Sequence, residues 1–496
     1  MEERVRGKWK FFGLTYFHLL IWNTLTTWWI WHATAAGAIA AIATNSLLMC
    51  LPWMAYRLLK NRKGIQVGLI GLITGWMGFE YLHLQDWGLS WPWLTLGNGL
   101  AAQPAWIQWY EYTGSSGGSL WILTVNALLF LQFRQQQFPA DPKKFPYRWV
   151  ALGLILLPIG ISGWIKNSIA PSPASTPTHE VAILQPNVDP YEKVSSYTSF
   201  PVQLQQLIAR SESGITDSTK LLIWPETALY ELGGIGEKEL RDRSARFDSL
   251  WAFLSRHPGL KLFTGVESYA VVKEKSFNSI PAPEWLRRPD DPTPSYIEAY
   301  NGAALLDSSG ALAFYHKSKL VPGVETLPAF LRFLDSWFEK FGGTSGGYTP
   351  QLERTVLPSQ DGFQLAPAIC YESIYGEHLS QYFKKGATLM VIITNDGWWQ
   401  NTPGHKQHWL YARLRAIENR HWVARSANTG ISGFIDPAGN LIDPQPYGTA
   451  ACIRYLIPVT SNSPTFFSRT GDILSKGAFA FYIGLWIWTF AFRRRR

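Results

Sequence analysis

Cysteine is scarce in this chain. Its 496 residues include three cysteines, Cys50, Cys370 and Cys452. They are too few and too scattered to form a disulfide framework. No two of them have the CxxC spacing, which excludes a zinc ribbon. Each thiol is therefore either a small core residue or a reactive group.

Charged residues are also scarce, at 16% of the chain against about 25% in an ordinary soluble protein. Aromatic residues reach 15%, with 25 tryptophans, and tryptophan is enriched at membrane interfaces. The formal net charge is +9. Because the basic residues lie beside apolar runs, an anionic membrane surface is a better partner than nucleic acid. We therefore expect a membrane protein that binds no nucleic acid.

Long apolar runs fill the first 170 residues and return at the end of the chain. A membrane-spanning helix needs about 20 mostly apolar residues. The sequence predicts six spans, at 11–31, 36–57, 64–84, 118–131, 149–165 and 477–492. Prolines and polar residues interrupt a further apolar stretch at 91–110, which favours an interfacial or re-entrant segment over a seventh span.

The basic residues predict the orientation of these spans. The N-terminus, residues 57–63, the loop at 134–148 and the terminal RRRR are all basic. With six spans they all fall on one side, which should be the cytoplasm. The sequence thus predicts transmembrane helices in 1–170, an extracytoplasmic domain in 179–464 and a final transmembrane helix in 476–496 with a cytoplasmic Arg tail.

Residues 179–464 have a different composition. A Pro- and Ser-rich linker, PSPASTPT, precedes them at 171–178. Short β-rich runs such as VAILQPNV and ATLMVIITND then alternate with polar helical stretches. This alternation is typical of one globular α/β domain.

Chemically useful side chains close three of these apolar runs. Acyl transfer needs a nucleophile, a base and a group that stabilises an oxyanion, and in α/β sheets such groups collect at strand ends. Glu226 ends the run LLIWPE. It is a candidate general base, although an acidic residue there could equally stabilise the first turn of a helix.

The other two runs end in lysines and in a cysteine. In ALAFYHKSKLV, Lys317 and Lys319 face the same side of an extended strand, so alternation leaves both open, and both could be ordinary surface lysines. Cys370 follows QLAPAI at a predicted strand-to-helix turn, where a nucleophile is exposed. A helix N-terminus and a nearby lysine are expected to lower its pKa. Alternatively, Cys370 is a buried apolar residue.

The order Glu, Lys, Cys resembles the nitrilase superfamily, and its position between membrane spans resembles the apolipoprotein N-acyltransferase family. Four segments carry the resemblance: WPE at 224–226, YHKSKLVPGVE at 315–325, CYE at 370–372 and NDGWW at 395–399. The resemblance covers nearly the whole chain. It implies a multi-span α-helical membrane bundle plus an α/β nitrilase-like α-β-β-α sandwich domain.

The resemblance also implies roles for the three strand-end residues. Glu226 would be the base, Lys317 would stabilise the oxyanion, and Cys370 would attack a carbonyl. In the family the catalytic lysine lies eight residues before an essential glutamate, which selects Lys317 with Glu325 and disfavours Lys319.

Further residues are implied by the same motifs. Tyr371 and Glu372 would support the nucleophile. Glu372 and Glu325, the last residue of segment 315–325 (the lysine loop), would orient Lys317 by charge complementarity. Asn395, Trp398 and Trp399 would contact substrate. The resemblance implies no cofactor and no metal.

The implied activity is transfer of an sn-1 acyl chain from a phospholipid, typically phosphatidylethanolamine, through a cysteine thioester to the α-amine of a diacylglyceryl-apolipoprotein. The implied location is the bacterial inner membrane, with the catalytic domain on the periplasmic side. The sequence departs from the family in two ways. Six spans are found where eight are usual, so the first two would be missing before residue 11, and Val194 stands where the family often has an aromatic residue.

Two other functions remain open from the residues themselves. One is a membrane-tethered nitrilase-type amidase acting on a small amide, which would open its pocket toward water. The other is a non-catalytic membrane scaffold. His405 and His408 have a spacing that can bind zinc, but no third ligand follows at a convincing spacing, and hydrogen-bonded histidines are the better interpretation.

Overall fold

The structure is a computed structural model. It describes all residues except 1–4, 6, 86, 138–144, 170–174, 191–199, 277, 284–285, 287–292, 327–346, 360, 461–462 and 492–496. Val194 and the terminal arginines lie outside the described residues. The chain divides into two compact units, one formed by 1–170 with 465–496 and the other by 171–464.

The first unit is helical. Its helices are α1 (Lys8–Thr27), α2 (Ala35–Lys63), α3 (Ile65–His83), α4 (Tyr110–Gln137) and α5 (Tyr147–Ser168), followed late in the chain by Phe466–Thr470 and Ile473–Ala491. Among the described residues, five helices are long and apolar enough to cross a membrane, namely α2 to α5 and Ile473–Ala491. Helix α1 occupies the first of the six predicted spans but is not among them, because His18, Asn23 and several threonines interrupt its apolar run.

The interrupted stretch before α4 forms three short 3-10 turns, Pro92–Leu94, Leu96–Leu100 and Pro104–Trp106. The backbone N–H of Gly97 donates to Ser119 Oγ at 3.0 Å, and the Tyr110 hydroxyl donates to the Gly97 carbonyl at 2.9 Å. A Cβ atom on Gly97 would lie 1.8 Å from the Ser115 carbonyl oxygen, whereas one on Gly99 would meet nothing within 4 Å. This turn therefore packs directly on the backbone of α4.

This packing predicts different effects for two neighbouring glycines. Gly97→Ala should lower the free energy of unfolding by about 1–3 kcal/mol, because an inserted methyl group forces the turn away from α4. Gly99→Ala is the matched control and should leave stability unchanged. Thermal unfolding of both purified variants in detergent checks this; equal melting temperatures would contradict the close approach.

The second unit contains two β-sheets. Its strands are β1 (Thr178–Gln185), β2 (Thr219–Ile223), β3 (Ile235–Gly236), β4 (Lys261–Val272), β5 (Ile280–Pro281), β6 (Tyr296–Asp307), β7 (Gly310–His316), β8 (Leu357–Pro358), β9 (Gln364–Ile369), β10 (Leu389–Thr394), β11 (Trp422–Ala427), β12 (Ser432–Ile435), β13 (Leu441–Gln445) and β14 (Ala451–Pro458). Its helices are α6 (Phe200–Glu212), α7 (Glu237–Arg241), α8 (Asp248–Arg256), α9 (Gly376–Lys384) and α10 (Pro403–Asn419).

Both sheets are mixed, with parallel strands at their centres. The first has the order β14-β1-β2-β4-β6-β5, with β3 paired to β4 and β7 paired to β6. In it β1, β2 and β4 are parallel. The second has the order β13-β12-β11-β10-β9-β8, and β9, β10 and β11 are parallel. The side chains closing the central strands of one sheet therefore collect at one edge.

Alternation along the strands explains the layers. On β1, Val181 and Ile183 join the apolar core shared with the second sheet, while Ala182 and Leu184 join a separate core with α6, α7 and α8. Helices α9 and α10 add Leu379 and other residues to the shared core. Because successive side chains point to opposite faces, each sheet buries both faces. The domain is an α-β-β-α sandwich.

Candidate active site

Cys370 lies at the turn between β9 and a 3-10 helix, Cys370–Ile374. Its φ is 51°, in the left-handed region that non-glycine residues rarely adopt and that costs about 1–3 kcal/mol. Such a conformation persists only where the surroundings hold it. Cys370 keeps part of its surface accessible, although it packs against the core shared by the two sheets.

The electrostatic state of Cys370 differs from the sequence-based expectation. Burial raises the pKa of the thiol, and the negative charge of Glu226 raises it further, while Lys317 acts in the opposite direction. The prediction of a lowered thiol pKa is therefore wrong, because burial outweighs the lysine. The thiol is protonated at rest and needs a base.

Glu226 follows β2 and is buried. Its Oε1 accepts a hydrogen bond from Asn301 Nδ2 at 2.8 Å and lies 3.4 Å from Lys317 Nζ. Its Oε2 accepts the backbone N–H of Asn395 at 3.0 Å. A Cβ atom on Gly265 of β4 would lie 2.5 Å from the backbone on either side of Glu226. Position 265 therefore accommodates only glycine.

Lys317 follows β7 and is 1% exposed. Its Nζ donates to Glu325 Oε1 at 2.7 Å and faces Glu226 Oε1 at 3.4 Å. Burial disfavours its charge, but the carboxylates of Glu325 and Glu226 outweigh burial and raise the pKa of Lys317. This lysine is a permanent cation. Lys319, which alternation left equally possible, instead lies over the ring of Tyr375 at 5.7 Å.

Glu372 is fully buried behind the lysine loop and does not pair with the lysine ammonium in any hydrogen bond the structure records. Its Oε1 accepts the Tyr315 hydroxyl at 2.8 Å and the backbone N–H groups of Ser318 at 2.6 Å and Lys319 at 3.2 Å. Its Oε2 accepts the N–H of Ile369 at 2.7 Å. Glu372 therefore ties residues 315–319 to β9, the strand that precedes Cys370.

The remaining predicted residues surround this group. Tyr371 is buried, with its ring 5.4 Å from that of Tyr375. Asn395 contributes its backbone N–H to the base, as described above. Trp398 and Trp399 are half-buried, and the ring of Trp399 lies 5.5 Å from that of His408.

Asn301 is a site residue that the sequence reading missed. It lies on β6, and its Nδ2 donates to Glu226 Oε1 at 2.8 Å and to Glu325 Oε1 at 2.9 Å. Its carbonyl also accepts the backbone N–H of Lys317 at 2.9 Å. The sequence signal that could have found Asn301 is a polar residue within the otherwise apolar strand segment YNGAALLD.

This arrangement can carry out nucleophilic chemistry. Two carboxylates, Glu226 and Glu325, share one ammonium, Lys317, so the group has one negative charge in excess. Ionising Cys370 would raise this excess from one negative charge to two. Passing the thiol proton to Glu226 keeps the net charge constant, and the lysine can then face the negative charge that develops on an attacked carbonyl.

Comparisons with known proteins match both units. Residues 180–453 match the carbon-nitrogen hydrolase family, and residues 1–128 match the apolipoprotein N-acyltransferase N-terminal domain. An apolipoprotein N-acyltransferase from Chlorobaculum tepidum is 30% identical over 477 residues, which cover 94% of this chain and 85% of that protein. The chain belongs to the apolipoprotein N-acyltransferase family.

A further relative and two solved structures are also similar to this chain. The apolipoprotein N-acyltransferase of Geobacter metallireducens is 27% identical over 84% of this chain and 73% of its own length. Among solved structures, an amidase from Nesterenkonia sp. AN1 covers 60% of this chain and 99% of its own at 17% identity, with a TM-score of 0.37. Saccharomyces cerevisiae Nit3 covers 57% and 90% at 18% identity, also with a TM-score of 0.37. The two matched family models, together with five described helices long and apolar enough to cross a membrane, indicate a membrane protein with a carbon-nitrogen hydrolase domain.

The charge of Glu226 predicts how the thiol titrates. In Glu226→Gln, burial still raises the pKa of Cys370 but one further cause is removed, so the pKa should fall and the thiolate should appear at lower pH. The pH profile of Cys370 alkylation by iodoacetamide, followed by mass spectrometry, checks this. Glu212→Gln, an exposed change, is the control, and an unchanged or upward-shifted profile would contradict the assignment.

The two hydrogen bonds of Asn301 predict a catalytic role in positioning the carboxylates. Asn301→Ala should reduce turnover about 10- to 100-fold, since hydrogen bonds to charged groups contribute about 1.5–3 kcal/mol. Asn440→Ala, which removes a bond to Asp436 in an exposed turn, should leave turnover unchanged. Activity measured beside thermal unfolding separates positioning from misfolding; wild-type turnover in Asn301→Ala would reject the role.

Proposed function

We propose that this acyltransferase moves an sn-1 acyl chain from a phospholipid, with phosphatidylethanolamine as the typical donor, to the α-amine of a diacylglyceryl-apolipoprotein. The relatives named apolipoprotein N-acyltransferase support this substrate class. The observation that carries the mechanism is the buried Lys317 held between Glu226 and Glu325, with the charges of both Glu226 and Lys317 acting on the Cys370 thiol.

In the first step Glu226 takes the proton from the Cys370 thiol as sulfur attacks the sn-1 ester carbonyl carbon. The C=O pair moves onto oxygen, and this oxyanion is stabilised by Lys317 Nζ and by the backbone N–H of Tyr371. When the tetrahedral intermediate collapses, the C–O bond breaks. The departing lysophospholipid oxygen takes the proton from Glu226, and an acyl thioester remains on Cys370.

In the second step the neutral α-amine of the apolipoprotein attacks the thioester. The same two groups stabilise the oxyanion, Glu226 accepts the proton lost by nitrogen, and the C–S bond breaks. The departing sulfur recovers a proton from Glu226, which restores the resting thiol. Two displacements through one intermediate replace a single difficult exchange between two lipids.

Glu325 and Glu372 hold the cation in place. Glu325 does so by direct contact with Lys317. Glu372 acts through the backbone of the lysine loop. Asn395 orients the base through its N–H, and the half-buried rings of Trp398 and Trp399 would contact the substrate lipids.

The proposed location is the bacterial inner membrane. Helices within 1–170 and 476–496 would span it with their basic ends in the cytoplasm, and domain 179–464 would lie on the periplasmic side. Both substrates carry acyl chains, so a catalytic domain joined to membrane helices would receive them by lateral diffusion.

The test is to incubate the purified full chain with phosphatidylethanolamine vesicles and no acceptor, then measure the intact mass. We expect one added acyl chain on Cys370, because no amine is present to accept the acyl chain from the thioester. Cys370→Ala should gain no mass, while Cys452→Ala, which keeps Cys370, should be acylated as in the wild type.

Three results would reject the proposal. Release of free fatty acid without a lasting adduct, or hydrolysis of a small amide, would identify a hydrolase. No adduct on folded protein would exclude catalysis through Cys370.

The second step is tested on the acylated protein. Adding a diacylglyceryl-cysteine peptide should transfer the acyl chain from Cys370 to the peptide amine.

A further inference from the structure

The carbonyl of the nucleophile Cys370 is bonded by two side chains. His408 Nε2 lies 3.1 Å from the Cys370 carbonyl oxygen, and the Ser373 hydroxyl donates to the same oxygen at 2.8 Å. Nε2 also lies 2.8 Å from Ser373 Oγ, which can accept from Nε2 while its own proton is donated to the carbonyl. A carbonyl oxygen only accepts hydrogen bonds. The Nε2 atom of His408 therefore carries a proton whenever this contact is made.

The ring of His408 is fixed from its other side. Its Nδ1 lies 2.9 Å from Asp396 Oδ1, and Asp396 Oδ2 accepts from Arg425 Nη2 at 2.7 Å. All three side chains are fully buried. Burial opposes the negative charge of Asp396, but Arg425 and His408 outweigh it and lower the pKa of that carboxyl. A buried, ionised Asp396 thus sets the plane of the imidazole.

The topology explains why these residues meet. Cys370 follows β9, Asp396 follows β10, and Arg425 lies on β11; these three strands are parallel neighbours. His408 lies on α10, which covers this sheet. A series of side-chain contacts from Arg425 through Asp396 to His408 therefore crosses β11 and β10 and reaches the backbone of Cys370.

We propose that His408 is a positioning residue for the nucleophile: with Asp396 and Arg425 behind it, its Nε2–H holds the Cys370 carbonyl and so keeps Cys370 in its left-handed conformation. It contacts the backbone of Cys370 and acts through it. The inference rests on the proposed role of Cys370 as nucleophile.

The energetic reason is the conformation itself. A cysteine at a φ of 51° relaxes toward ordinary values unless its surroundings oppose it, because this region costs about 1–3 kcal/mol. Rotating the peptide would move both the thiol and the N–H of Tyr371, which are the attacking atom and a proposed oxyanion donor. One misplacement would therefore affect both halves of the chemistry.

Two substitutions separate the two ring nitrogens. His408→Gln places an amide N–H near the position of Nε2 and can still bond the Cys370 carbonyl. His408→Asn places its amide near Nδ1, so it can still meet Asp396 but cannot reach that carbonyl. A merely structural histidine would be replaced equally well or equally badly by either.

The matched control is His405, on the same helix one turn earlier. It is also buried; its Nε2 lies 3.1 Å from Asn401 Oδ1 and its ring packs 4.6 Å from that of Tyr447. His405→Asn removes a buried imidazole from α10 without touching the described contacts of Cys370. It reports the cost of losing such a ring alone.

The measurements are the single-turnover rate of Cys370 acylation by phosphatidylethanolamine vesicles, the KM for that lipid, and the rate of alkylation by iodoacetamide. His408→Asn should slow acylation about 100-fold with KM unchanged, since small misplacements of reacting atoms have effects of this size, and should slow alkylation as well. His408→Gln should recover most of both rates, and His405→Asn should match the wild type.

Equal rates for His408→Asn and His408→Gln, in folded proteins, would overturn the proposal, as would a change in KM alone. If His408→Asn does not fold, Ser373→Ala decides: it removes the second bond to the Cys370 carbonyl and should slow alkylation up to about tenfold. A wild-type rate there would reject positioning through this carbonyl. A third outcome separates the two proposals. If the wild type forms no acyl adduct but the variants keep the expected order of alkylation rates, the acyltransferase proposal alone is rejected.

Discussion

The burial of Lys317 between two carboxylates is the constraint on which the site depends. An ammonium removed from water is costly unless it is paired and hydrogen-bonded. Glu325 and Glu226 provide that pairing, and Asn301 holds both carboxylates because its Nδ2 donates one hydrogen bond to each. The cation, the base and their spacing are consequently one unit.

The thiol is controlled by the same group. Burial and the charge of Glu226 keep Cys370 protonated, so in the proposed mechanism the thiolate forms only as its proton moves to Glu226. A neutral resting thiol is also less open to oxidation, which attacks thiolates. The proposed mechanism therefore depends on a positioned proton acceptor and does not require a low thiol pKa.

Two separate buried networks hold the strand ends in register. Glu372 connects the lysine loop to β9 through four hydrogen bonds. The second network connects β10, β11 and α10 to the turn at Cys370 through Asp396, His408 and Arg425. Because interiors are closely packed and transmit strain, loss of either network would be felt at the nucleophile.

The sequence by itself determined the broad plan and most of the candidate site residues. Long apolar runs indicated membrane helices, and alternation of short β-rich runs indicated an α/β domain. Glu226 and Cys370 were found because each closes an apolar run. Asn301 and the role of His408 were not accessible in this way, since their partners are 75 and 38 residues away in sequence. Alternation left both Lys317 and Lys319 open, and the spacing to Glu325 in the family's motif selected Lys317. The tertiary structure showed which ammonium meets the carboxylates, because that depends on how the strands pack. It also decided the thiol pKa, because burial is a property of packing and no local motif encodes its balance against a neighbouring lysine.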